Sequence, residues 1–128
     1  MALEMISPAL LDGYVGRTDA VIIDVRSREA FERGHIRGAR NIPYEEQEGY
    51  QYFPKDKELI LYCDRGSTSL TKGRELSRRG FRVKSVSGGL HAYQGHNLVR
   101  SLKFPGAGGI IIARSTTGGG RPAGIPPL

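Results

Sequence analysis

One cysteine is all this chain has, at position 63 of 128. That excludes an internal disulfide, a Cys-x-x-Cys redox pair and any multi-cysteine zinc site. It also leaves an intermediate formed on Cys63 without a resolving thiol in the same chain. No apolar run approaches the roughly 18 residues of a membrane span, so no membrane partner is expected. The start, MALEMISPALL, has neither a basic n-region nor a long apolar stretch, and no secretory signal is read there. A lone cysteine without an export signal suggests a reducing, cytoplasmic setting. The three histidines are scattered, with no cysteine or carboxylate cluster beside them, so neither a metal nor a cofactor is expected.

What is present suits one domain with a modest core. The net charge of +6 is unevenly placed. Seven cations (Arg65, Lys72, Arg74, Arg78, Arg79, Arg82, Lys84) fall between positions 65 and 84 against one anion, Glu75. They read either as a solvated helix face or as a field drawing small anions toward residue 63. Aromatics are not interleaved with them and no binding motif accompanies them, so nucleic acid is not expected as a partner.

Apolar runs and turn residues set the organisation. Ser7-Pro8 opens a short helix over about 8–14. Ala20 to Val25 and Leu59 to Tyr62 read as strands buried on both faces, and Val83 to Val86 as a third. Ser27 caps a helix that Gly34 ends. Ala39 to Ile42 is a short strand closed by Pro43. A helix runs from about Thr68 to Arg79, with Leu70, Gly73, Leu76 and Ser77 on one side. Another short helix follows Gly88-Gly89. Strands alternating with helices predict an α/β fold, an open, mostly parallel sheet with helices on both faces. The predicted domain covers 1–103. Residues 104–128 read as a flexible Gly/Pro-rich tail, within which Gly109 to Ala113 offers a short strand.

The chemistry concentrates in Leu59-Ile60-Leu61-Tyr62-Cys63-Asp64-Arg65-Gly66-Ser67-Thr68-Ser69. A strand delivers the cysteine to its carboxyl end, where ligands of open α/β sheets bind. A tight loop and a helix start follow, and both favour an anion. A thiol so placed is expected to be a reactive thiolate rather than an inert core cysteine. Gly66 lets the backbone curl, and Arg65 adds charge that Asp64 partly offsets.

This segment resembles the active-site loop of the rhodanese family. Three more stretches are similar in the expected order: Ile23-Asp24-Val25-Arg26 with Phe31 to Ile36, then Gly38 to Pro43, then Val86 to Tyr93. The resemblance spans about residues 20–95. It implies that Cys63 attacks the sulfane sulfur of a small anionic donor such as thiosulfate. A persulfide is left on Cys63, cradled by the N–H groups of Asp64, Arg65, Gly66, Ser67, Thr68 and Ser69. An external thiol, a protein acceptor or cyanide then takes the sulfur, with ping-pong kinetics. Many members carry an arginine near the end of this loop, where Ser67 and Thr68 stand here. The late aromatic, often tryptophan, is Tyr93.

Asp24 and Arg26, at a strand end, read as an ion pair supporting the loops. His35 reads as a structural turn histidine, and His91 and His96 as exposed or packed. Glu45, Glu46 and Glu48 form a solvated stretch, and Tyr50, Tyr52 and Phe53 pack on the core. Two rival functions differ in class. A cysteine phosphatase or arsenate reductase would need an arginine six positions after the cysteine, where Ser69 stands. A non-enzymatic persulfide carrier or interaction module would show the same sequence.

Overall fold

The structure, a computed structural model, describes residues 3–104 and 109–115. In chain order the strands are β1 (Leu3–Ile6), β2 (Ala20–Asp24), β3 (Gly34–Ile36), β4 (Arg40–Asn41), β5 (Glu58–Tyr62), β6 (Arg82–Val86), β7 (Leu98–Phe104) and β8 (Gly109–Ser115). The α-helices are α1 (Arg28–Arg33) and α2 (Ser67–Arg78). 3-10 helices cover Pro8–Tyr14, Tyr50–Tyr52 and Leu90–Ala92.

Five strands form a wholly parallel sheet in the order β1-β6-β5-β2-β4. The chain is α/β, as its alternating pattern predicts. The run Leu59, Ile60, Leu61, Tyr62 is buried throughout because β5 is central and covered on both sides. Leu59 and Leu61 pack with Ile23, Tyr50 and Leu76 of α2 on one face. Ile60 and Tyr62 pack with Ile22, Leu11 and Ile36 on the other. That second face is covered by β3 and by the 3-10 helix at 8–14, where the sequence predicts a short helix.

Local signals act as read. The Ser27 hydroxyl accepts from the N–H of Ala30 at 3.1 Å and starts α1, and the Gly34 N–H closes it on the carbonyls of Ala30 and Phe31. Gly73 lets α2 approach the sheet, since a Cβ there would stand 3.0 Å from the Leu3 side chain and 3.4 Å from that of Val83. Lys72 departs from the reading of its basic stretch as a solvated face. It is 1% exposed, pairs with Glu75 at 3.3 Å and lies against the rings of Tyr44 and Tyr50. Tyr52 departs in the opposite direction, at 79% exposed.

A second, antiparallel sheet in the order β3-β7-β8 was not foreseen, nor was β1. β8 contains the Gly109 to Ala113 run. The rest of the predicted tail after Phe104, at 105–108 and 116–128, lies outside the described residues. Among the described residues no helix is long and apolar enough to cross a membrane.

A buried polar contact joins the two sheets. The N–H of Ile36 on β3 donates to the Tyr62 hydroxyl at 3.0 Å, with both residues fully buried. Removing that acceptor leaves a buried N–H unpaired. Tyr62→Phe should therefore cost about 1–3 kcal/mol of stability, read as a lower urea midpoint at an unchanged slope.

Candidate active site

Cys63 stands one residue beyond the carboxyl end of β5, where the chain turns into α2. Gly66 makes the turn at φ +107°, a conformation that side chains disfavour. The turn folds backbone donors back onto the sulfur. The N–H groups of Gly66 and Ser69 donate to Cys63 Sγ at 3.1 and 3.3 Å. The thiol lies 3.6 Å from Ser69 Oγ. Ser69 Oγ in turn donates to the Gly66 carbonyl at 3.2 Å and sits 2.8 Å from Ser85 Oγ on β6.

The loop is stapled from its other side by the segment after β6. The N–H of Leu90 donates to the Cys63 carbonyl at 2.8 Å, and that of His91 to the Asp64 carbonyl at 2.9 Å. Gly89 passes so close that a Cβ there would lie 2.4 Å from the Cys63 carbonyl oxygen. Tyr93 anchors this segment by donating to Asp12 and accepting from the Asn97 N–H. It also packs against the Leu11–Tyr62 side of the core.

Cys63 is only 5% exposed, and it opens onto a cavity of about 580 Å³. Of the residues singled out in the sequence, Arg26, Asp64, Arg65, Ser67 and Thr68 line this cavity with it. Gly66 and Ser69 lie beneath, as donors to the sulfur. Asp24 is fully buried behind Arg26, whose guanidinium grips its carboxylate at 2.6–3.1 Å. Arg26 also donates to the Gly34 carbonyl at 2.5 Å and approaches Asp64 at 3.5 Å. Burial is the largest single influence and works against the Arg26 charge, but the hydrogen bonds to Asp24 and the charges of Asp24 and Asp64 together hold its pKa above the usual arginine value. Asn41 completes the support, donating to the carbonyls of Asp24 and Arg26.

Sequence reasoning missed Ala30, Arg33, Tyr44 and Glu45 as cavity residues. It also read Glu45 as merely solvated. Of the seven cations at 65–84, Arg65 lines this cavity. Three guanidinium groups and two carboxylates line the cavity. Its preference for an anion therefore rests as much on the loop N–H groups as on side-chain charge. His35 donates from Nδ1 to the Phe31 carbonyl (2.8 Å) and stacks on the Phe31 ring.

An α/β domain whose single cysteine is cradled by a strand-to-helix loop defines a class, and the comparisons agree. Residues 7–96 match the rhodanese-like domain family. The chain belongs to that family. It is 40% identical over 76 residues to the tRNA sulfurtransferase of Desulfurococcus amylolyticus, a match covering 59% of this chain and 15% of that protein. It is 31% identical over 85 residues to the thiosulfate sulfurtransferase GlpE of Coxiella burnetii, covering 65% of this chain and 79% of that one. Among solved structures, a rhodanese-like domain protein from Staphylococcus aureus aligns with a TM-score of 0.65 at 26% identity, covering 70% of this chain and 90% of that one. The chain thus spans a small part of the first relative and most of the second.

Proposed function

We propose that this domain is a sulfurtransferase that carries sulfur as a persulfide on Cys63. The observation that carries the reading is the pair of backbone N–H groups, from Gly66 and Ser69, aimed at the Cys63 sulfur on the floor of an arginine-lined cavity. Donors fixed in this way stabilise negative charge on sulfur without reorganising during reaction. In the first step the Cys63 thiolate attacks the sulfane sulfur of thiosulfate. The S–S bond of the donor breaks and sulfite leaves with the bonding electron pair. In the second step an external thiolate or cyanide attacks the outer sulfur of the persulfide, and the Cys63 thiolate leaves. Both relatives named above are sulfurtransferases, which supports transfer in general, and the GlpE match supports thiosulfate as donor. A protein acceptor outside the chain suits the absence of a second cysteine. A phosphatase reading is disfavoured by Ser69, whose hydroxyl turns inward to Gly66 and Ser85 where a guanidinium clamp would be required.

The test is an intact mass of the purified protein after incubation with thiosulfate under non-reducing conditions. Gain of one sulfur atom, removed by cyanide, is expected. A protein that never gains sulfur from thiosulfate would overturn the assignment of this donor.

A further inference from the structure

We infer that Ser85 is a positioning residue for the sulfur chemistry, acting through Ser69. Ser85 sits on β6 two residues from Val83, so its side chain shares the face on which Val83, Leu59 and Leu61 form the core. An apolar side chain would fit that pattern. Instead a hydroxyl is fully buried there, which costs free energy unless it is hydrogen-bonded. Its partner is Ser69 Oγ at 2.8 Å.

Counting protons fixes the direction of the chain of bonds. A hydroxyl has one proton and two lone pairs. The Gly66 carbonyl can only accept, so Ser69 spends its proton there, at 3.2 Å. Ser85 must then donate to Ser69, and the Cys63 S–H must donate to Ser69 as well, at 3.6 Å. With the thiol protonated, every proton has an acceptor and the Ser69 oxygen is fully used.

Ionisation of Cys63 removes one donor and creates one acceptor. The Ser69 proton swings from the Gly66 carbonyl to the sulfur. The Gly66 carbonyl is not orphaned, since it still accepts from the Leu70 N–H at 3.1 Å. Ser85 goes on donating to Ser69. A hydroxyl whose oxygen accepts a hydrogen bond is a stronger donor through its own proton. Ser85 thereby strengthens the bond that Ser69 makes to the charged sulfur and keeps the Ser69 proton from pointing to β6. The charged and titratable groups around the sulfur all lie elsewhere. Arg26, Arg33, Tyr44, Glu45, Asp64 and Arg65 line the cavity, and Lys72 of α2 is paired with Glu75. Substitution at 85 leaves every one of them in place.

This deepens the sulfur-transfer reading by adding a residue to the same site, and its test needs no sulfur donor. The pH profile of Cys63 alkylation by iodoacetamide would be compared in Ser85→Thr and Ser85→Val, which have the same shape and differ in the hydroxyl. Ser85→Thr should follow the wild type. Ser85→Val should have its midpoint at higher pH, with alkylation below that midpoint slowed about two- to fourfold, and Ser69→Ala should be slowed about tenfold or more. Coincident profiles for the Thr and Val variants would overturn the inference, and so would equal shifts in both. If either bulkier variant does not fold, Ser85→Ala against wild type decides by the same midpoint. A shift in a protein that takes no sulfur from thiosulfate would sink the assignment of thiosulfate as donor alone. Coincident profiles in a protein that does take it would sink the role of Ser85 alone.

Discussion

Cys63→Ser should lower sulfur transfer from thiosulfate to cyanide by at least about 10⁴-fold while leaving the domain folded. The two halves of that expectation have different causes. Turnover falls because no other group in the chain can hold the sulfur as a persulfide, the cysteine being unique. Stability holds because the serine oxygen can still accept from the Gly66 and Ser69 N–H groups, which converge on the sulfur in the wild type. Cys63→Ala should lose the same activity and, in addition, about 1–3 kcal/mol of stability, since both donors are then buried without an acceptor. The cyanide assay and a urea titration on the two variants separate these effects. Residual turnover within tenfold of wild type in Cys63→Ser would mean that the sulfur is not carried on this residue.

The sequence revealed the site's centre better than its walls, and the reason is range. The strand, the turn at Gly66 and the start of α2 are contiguous, so an apolar run followed by a glycine and hydroxyl residues was enough to place Cys63. The ion pair of Asp24 with Arg26 was equally local, two residues apart. Tyr44 and Glu45 meet the cavity only because the chain after β4 folds over it, which no periodicity announces. Burial of Lys72 depends on the rings of Tyr44 and Tyr50, brought from that same distant stretch. Ser85 looked like one more residue of a short strand until β6 paired beside β5 and set it next to Ser69. Strand β1 escaped notice because it is an edge strand of four residues with only Ile6 buried, so it carries almost no apolar pattern. β3 is three residues long and begins at the glycine that ends α1, which hid it behind a correct stop signal.

Gly89→Ala should be strongly damaging, although Gly89 does not line the cavity. Gly89 adopts φ +61° and ψ −159°, a region open essentially to glycine alone. A Cβ there would stand 2.4 Å from the Cys63 carbonyl oxygen and 2.5 Å from the Asp64 carbonyl carbon and oxygen. All three are backbone atoms that cannot swing aside as a flexible side chain would. Relief requires the 89–91 segment to part from the loop, and that breaks the bonds from the Leu90 and His91 N–H groups to the same two carbonyls. Backbone strain of about 1–3 kcal/mol and two lost hydrogen bonds at about 0.5–1.5 kcal/mol each give an expected loss of about 2–6 kcal/mol. Because the displaced carbonyls belong to Cys63 and its neighbour, transfer should fall about a hundredfold even where the variant is still folded. Gly16→Ala supplies the control. Gly16 also has a positive φ, of +83°, but a Cβ there meets nothing within 4 Å. That variant should lose about 1–2 kcal/mol from strain alone and keep full transfer activity. Equal urea midpoints for the two variants would show that the approach of Gly89 to the loop does not constrain it. A much larger loss in Gly89→Ala, with activity falling faster than the folded fraction, would show that this backbone contact fixes where the Cys63 sulfur stands.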